Sequence, residues 1–263
     1  MKKYFYLLAL VCTLGCFTAC SSDDDDKKQE EVSALVGTWN VEPTVEKEEG
    51  LYDGSVRINW EGEEGTSITV DMGEGALLPM DLKTIALPLA ANLSNTYLPK
   101  VLKDVTFTQD GKINATFSEY KGSDDDDDDD ATYEPEWQKA EGYATYKIVN
   151  DNLINVSIDV NKATANISDA QTKAMVTSIL SQYPSIPVNI TWNADKTKAF
   201  FYVDKAFVQP LITNLMGIIG QLPTEGMDAD DLEALQQLKA LATQIPDIMN
   251  KTTKFEAGIE LTK

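Results

Sequence analysis

The chain folds back on itself at short intervals, and no other feature constrains its fold as strongly. Val105 and Phe107 stand opposite Ile113, Ala115 and Phe117 across Asp110-Gly111, a dipeptide that suits tight β-hairpin turns. Residues 146–149 and 154–160 flank Asn150-Asp151-Asn152 in the same way, and residues 190–192 and 199–203 flank Asn193-Ala194-Asp195-Lys196. Val56, Ile58 and Trp60 alternate with Arg57 and Asn59, Ile68, Val70 and Met72 alternate with Thr69 and Asp71, and residues 62–65 supply a turn between the two runs. Such alternation marks strands with one apolar and one polar face. Residues 35–41 open the series, and Phe255, Ala257, Ile259 and Leu261 close it. The total is roughly ten strands, nearly all paired with sequence neighbours, which predicts a curved antiparallel sheet. A strand at each end of the series would allow the sheet to close into a barrel.

Helical stretches lie between the hairpins, so the class is α+β, with four inserted helices. Within residues 82–103 the apolar positions are Leu82, Ile85, Ala86, Leu89, Ala90 and Leu93, and Pro88 and Pro99 are expected to break the helix into short pieces. Ser168 and Gln171 form a capping-box pair ahead of a face made by Met175, Val176, Ile179 and Leu180. Residues 205–221 are apolar on nearly every side, with Phe207, Leu211, Ile212, Leu215, Met216, Ile218 and Ile219. Asp228 caps a fourth helix striped by Leu232, Leu235, Leu238, Leu241, Ala242 and Ile245. Residues 34–263 read as one globular domain, a length that a single core can serve.

The first 33 residues carry a different message. Lys2 and Lys3 precede an apolar run, residues 4–14, too short to span a bilayer as a stop-transfer helix. Phe17-Thr18-Ala19-Cys20 then resembles the lipobox of bacterial lipoproteins, with Phe17 where leucine is usual. The resemblance implies that residues 1–19 are a signal peptide and that Cys20 is lipidated; Cys16 is a rival with a poorer fit. Ser22, Asp23, Asp24, Asp25 and Asp26 resemble the acidic export signal of Bacteroidetes surface lipoproteins. That resemblance implies an outer membrane protein facing the cell exterior, with residues 20–33 as a lipidated acidic tether. Two or more acyl chains hold a domain stably at a membrane. Gly37-Thr38-Trp39 resembles the opening of lipocalin and calycin-like barrels, in which the tryptophan closes one end. The whole chain is thus similar to the lipocalin-like lipoproteins of Bacteroidetes, and none of the motifs that carry the likeness includes a catalytic residue.

Composition narrows the chemistry. The chain has no histidine, which removes the commonest general base and metal ligand. Its three cysteines, Cys12, Cys16 and Cys20, leave with the signal peptide or become lipidated, so no disulfide or cofactor-bearing thiol is expected in the domain. Histidine-based hydrolysis and most zinc sites are excluded. Arg57 is the single arginine, so no multi-arginine phosphate clamp can be built. Loss of Lys2 and Lys3 takes the formal charge from −21 to −23, which argues against a nucleic-acid partner. Seven aspartates at 124–130 raise the question of calcium, but unspaced like charges repel and extend, so a solvated loop is expected there.

Binding is therefore expected rather than catalysis, with no metal and no cofactor. The apolar stretch at 205–221 must be covered by sheet, helix or ligand, which makes Trp39, Phe207, Leu211, Leu215, Met216 and Ile219 the candidates for holding a small apolar or amphipathic ligand. The alternative is a glycan-binding or structural accessory lipoprotein using Trp60, Tyr133 or Trp137, of which Trp137 sits in the most polar surroundings. A two-carboxylate glycosidase is a third reading, but no acid stands in an apolar setting that would raise its pKa.

Overall fold

Strand pairing in the computed structural model carries the hairpin pattern through to a closed barrel. The structure describes residues 33–48, 50–71, 76–118, 134–165, 167, 170–220 and 229–263. The strands are β1 (Gly37–Val41), β2 (Val45–Glu48), β3 (Leu51–Asp53), β4 (Val56–Gly62), β5 (Ser67–Asp71), β6 (Leu77–Asp81), β7 (Leu102–Phe107), β8 (Lys112–Phe117), β9 (Gln138–Asn150), β10 (Leu153–Ile158), β11 (Ile186–Trp192), β12 (Lys198–Asp204) and β13 (Thr252–Thr262). The helices are α1 (Leu87–Val101), α2 (Val160–Ala163), α3 (Ala170–Gln182), α4 (Lys205–Gly220) and α5 (Ala229–Lys251). One turn of π-helix, Leu82–Ala86, leads into α1. Eight antiparallel strands, β1 and β7 to β13, close into a ring when β1 meets β13 at Asn40↔Thr262 and Val41↔Leu261. This architecture is consistent with a lipocalin-like barrel.

The first and last strands close the barrel, as their positions in the chain suggest, but the contact covers only those two residue pairs. Along the rest of the same edge, β13 pairs with β4, from Thr252↔Gly62 to Ile259↔Val56. The sequence pattern places β4 beside β5, and the structure corrects this: β5 pairs with β6, because the short contact with β1 leaves most of the β13 edge open and β4 fills it. Inward residues alternate as the period requires: Val105 and Phe107, Ile113 and Ala115, Ala144 and Tyr146, Ile154 and Val156, Val188 and Ile190, Ile259 and Leu261. Gly111, at φ +79°, makes the β7–β8 turn that Asp110-Gly111 predicts.

The prolines do not break α1. Pro88 sits in its first turn, where an amide hydrogen is not required. Pro99 deprives the Asn95 carbonyl of its helical donor, and the Thr44 hydroxyl donates to that oxygen instead at 2.6 Å. On α3, Val176, Ile179 and Leu180 are buried as the spacing predicts, with Met175 half-buried. Leu235 and Ala242 are buried on α5, while the side chain of Leu238 and the two caps Ser168 and Asp228 lie outside the described residues.

Candidate binding surface

Trp39 seals one end of the barrel. It is fully buried, its indole N–H donates to the Leu35 carbonyl at 2.8 Å, and the Lys263 ammonium lies 5.2 Å over its ring. Trp192 and Phe201 pack against it with ring centres 5.7 Å and 5.6 Å away, and Phe201 stacks on Phe107 at 5.4 Å. Tyr146 meets Phe107 edge-on at 5.3 Å and donates its hydroxyl to the Thr108 carbonyl at 2.6 Å. Burial, with the Asp110 carboxylate adding to it, raises the pKa of Tyr146. A void of about 20 Å³ remains between Val105, Ile154, Val188, Phe201 and Leu261. That is room for about one water, whereas ligand pockets run from about 300 Å³ upward.

The opposite end lies under α3 and α4. Phe207, at the start of α4, packs edge-on against Tyr183 at 5.5 Å, and Leu211 is buried against Ile179. The gap between the two helices measures about 10 Å³. Phe207 and Leu211 therefore come together, but Trp39 does not join them. It lies by the Lys198 end of β12, whereas Phe207 follows the Asp204 end. The side chains of Leu215, Met216 and Ile219 lie outside the described residues, as do Cys20, the export signal 22–26, the aspartate run 124–130 and Tyr133. Among the glycan candidates, Trp60 is buried and donates to the Thr252 hydroxyl at 2.7 Å. Trp137 is 38% exposed, with the Lys103 ammonium 6.0 Å from its ring centre.

A surface that the sequence does not nominate lies on α1. This helix turns its amides inward: Asn95, 3% exposed, accepts from the Val56 amide at 2.7 Å and donates to the Val56 carbonyl at 3.4 Å. Asn92 accepts from the Tyr52 amide and donates to the Gly50 carbonyl at 3.0 Å. At 3.6 residues per turn, Leu89 and Leu93 lie about 120° and 160° round the helix from Asn95. They are 45% and 51% exposed, and Ile85, in the preceding π-turn, is 48% exposed. Leu77 and Leu78, on β6 just before that turn, are exposed as well. Helical apolar spacing ordinarily points to the core; here the two asparagines, three apart, hold the other face against the protein. The available signal was that pair, together with the absence of any acidic residue from 82–103 in so acidic a chain.

Next in sequence to Tyr52 and Val56, the backbone partners of α1, Asp53 and Arg57 belong to a network of ion pairs. Arg57 binds Asp53 at 2.6 Å and Glu260 at 3.1 Å, and Lys198 binds Glu260 at 2.8 Å and Glu42 at 3.3 Å. Hydrogen bonds from Lys47 and then Arg57 hold Asp53 at about 2. Burial pushes Glu260 up, but Lys198 and Arg57 outweigh it and keep the carboxyl below its ordinary range. Among the described residues, no group of three or more His, Cys, Asp or Glu is placed to hold a metal ion. Comparison with protein-family profiles, curated proteins and solved structures gives no match.

Proposed function

We propose that this chain is a lipid-anchored, non-catalytic binding protein of the outward face of the outer membrane, and that it holds an amphipathic ligand on the outside of its barrel. The observation that carries the reading is the outer face of α1: the helix sets Asn95 and Leu98 against the protein and leaves Ile85, Leu89 and Leu93 in water. Exposed apolar surface of this kind marks a contact site. The interior does not compete for the role, since Trp39, Phe201, Phe107 and Tyr146 fill it. Lys83, Lys100 and Lys103 belong to the same acid-free segment and supply charge for an anionic head group. The anchor at Cys20 and the acidic signal at 22–26 support the location.

Isothermal titration with dodecyl phosphate below its micelle concentration tests the reading. Saturable binding is expected, and Leu89→Ser with Leu93→Ser should weaken it about tenfold or more, since each buried leucine is worth about 1.5–3 kcal/mol. Equal binding by both proteins, or none by either, would refute it.

A further inference from the structure

From the charge and shape of the α1 face we infer that it seats the domain on an anionic lipid surface, laying the helix along the membrane to which the chain is tethered; this rests on the reading of α1 as the binding face. Three observations converge. Ile85, Leu89 and Leu93 form an exposed apolar line along one side of the π-turn and α1, the geometry of a helix lying in the plane of an interface.

The second observation is charge. The chain carries 43 acidic and 22 basic residues, and an anionic surface would repel most of it. Residues 82–103 run against that balance, with Lys83, Lys100 and Lys103 and no aspartate or glutamate, whereas the other long acid-free stretches, 170–194 and 205–224, carry one lysine each. Asp81, Asp104 and Glu136 flank the patch, so the lysines are not without acidic neighbours. Asp81 caps the π-turn, accepting from the Thr84 amide at 2.8 Å and from its hydroxyl at 2.7 Å, and Asp104 accepts from the Thr116 hydroxyl at 3.0 Å. Repulsion of the acidic remainder then becomes an orienting force that favours this basic segment. Aromatic rings accompany the lysines: Lys100 stands 5.6 Å from the Tyr97 ring centre, and Lys103 stands beside the half-exposed Trp137. Tyrosine and tryptophan with lysine at the margin of an apolar strip is the composition that favours the head-group layer.

The third observation is reach. From Cys20 to Ser33 the tether extends to about 45 Å at full stretch, and a domain of this length is about 45 Å across. The anchor thus permits any face to rest on the bilayer, and the surface chemistry makes the choice. A free anionic amphiphile and a bilayer present the same chemistry, so the experiment must separate them.

The test is co-sedimentation of the mature chain, residues 20–263 with Cys20→Ser so that no acyl chain contributes, with vesicles of phosphatidylcholine containing or lacking phosphatidylglycerol. The expected result is sedimentation with the anionic vesicles that falls in high salt. It should drop at least tenfold in Leu89→Ser with Leu93→Ser, and again in Lys83→Glu with Lys103→Glu, each variant keeping the parent circular dichroism spectrum. Failure to sediment with anionic vesicles by a protein that still binds dodecyl phosphate would overturn the seating while leaving the binding face standing. Unchanged sedimentation of the leucine variant would also overturn it, by placing the contact elsewhere.

Discussion

Asn95 determines which way α1 faces. Its amide satisfies both backbone groups of Val56, and its own carbonyl, released by Pro99, is taken by Thr44. Asn95→Ala leaves the Val56 N–H and C=O without those partners, so a loss of about 1–3 kcal/mol is expected in urea unfolding. Asp53, on the neighbouring hairpin, carries a pH signature. Lys47 and Arg57 depress its folded pKa to about 2, so it contributes stability above its unfolded value near 3.8 and loses it as pH falls toward 2. Stability measured from pH 5 to pH 2 should therefore fall less steeply in Asp53→Asn than in the parent, and parallel curves would contradict the pairing. Neither residue announces itself in the sequence. Asparagine among leucines reads as a polar surface position, and its partner Val56 lies 39 residues away.

At the level of elements, close approach and edge protection govern the architecture. β12 and β13 run together so tightly at Gly258 that a Cβ there would stand 1.9 Å from the Phe201 carbonyl oxygen. Gly258→Ala must push the strands apart, and a loss of about 3 kcal/mol or more is expected, read by thermal unfolding. The β5–β6 hairpin stands off the barrel and guards its own edge. Gln244 of α5 accepts from the Thr69 amide at 2.7 Å and donates to the Thr69 carbonyl at 2.9 Å, replacing a missing strand. Thr69 pairs with Pro79, whose lack of an N–H removes a donor from the other edge. The hairpins with local turns, such as Thr108 to Lys112, are legible in the sequence because both strands and the turn residues are adjacent. The pairing of β4 with β13 is not, since Trp60 meets Phe255 from across most of the chain.

For the whole molecule, the alternating pattern specifies a barrel and leaves its contents open. Period-two strands have an inward face whether that face meets a ligand or other side chains. What decides is volume, and here Phe107, Tyr146 and Phe201 fill the space inward of Trp39. The candidate residues at the two ends, Trp39 on one side and Phe207 with Leu211 on the other, accordingly serve as closures. Apolar periodicity reports where side chains can be buried but not by what, and so it could not distinguish α3, whose apolar stripe packs inward, from α1, which buries Asn95 and Leu98 and leaves Leu89 and Leu93 exposed.

The most direct test of an outward-facing contact is a methyl and amide NMR titration of the mature, unacylated chain with dodecyl phosphate. Shifts are expected to concentrate at Ile85, Leu89, Leu93 and the amides around Lys83, while the methyls of Val105, Ile154, Val188 and Leu261 stay in place. Shifts centred on those four interior residues, with α1 unmoved, would contradict the account.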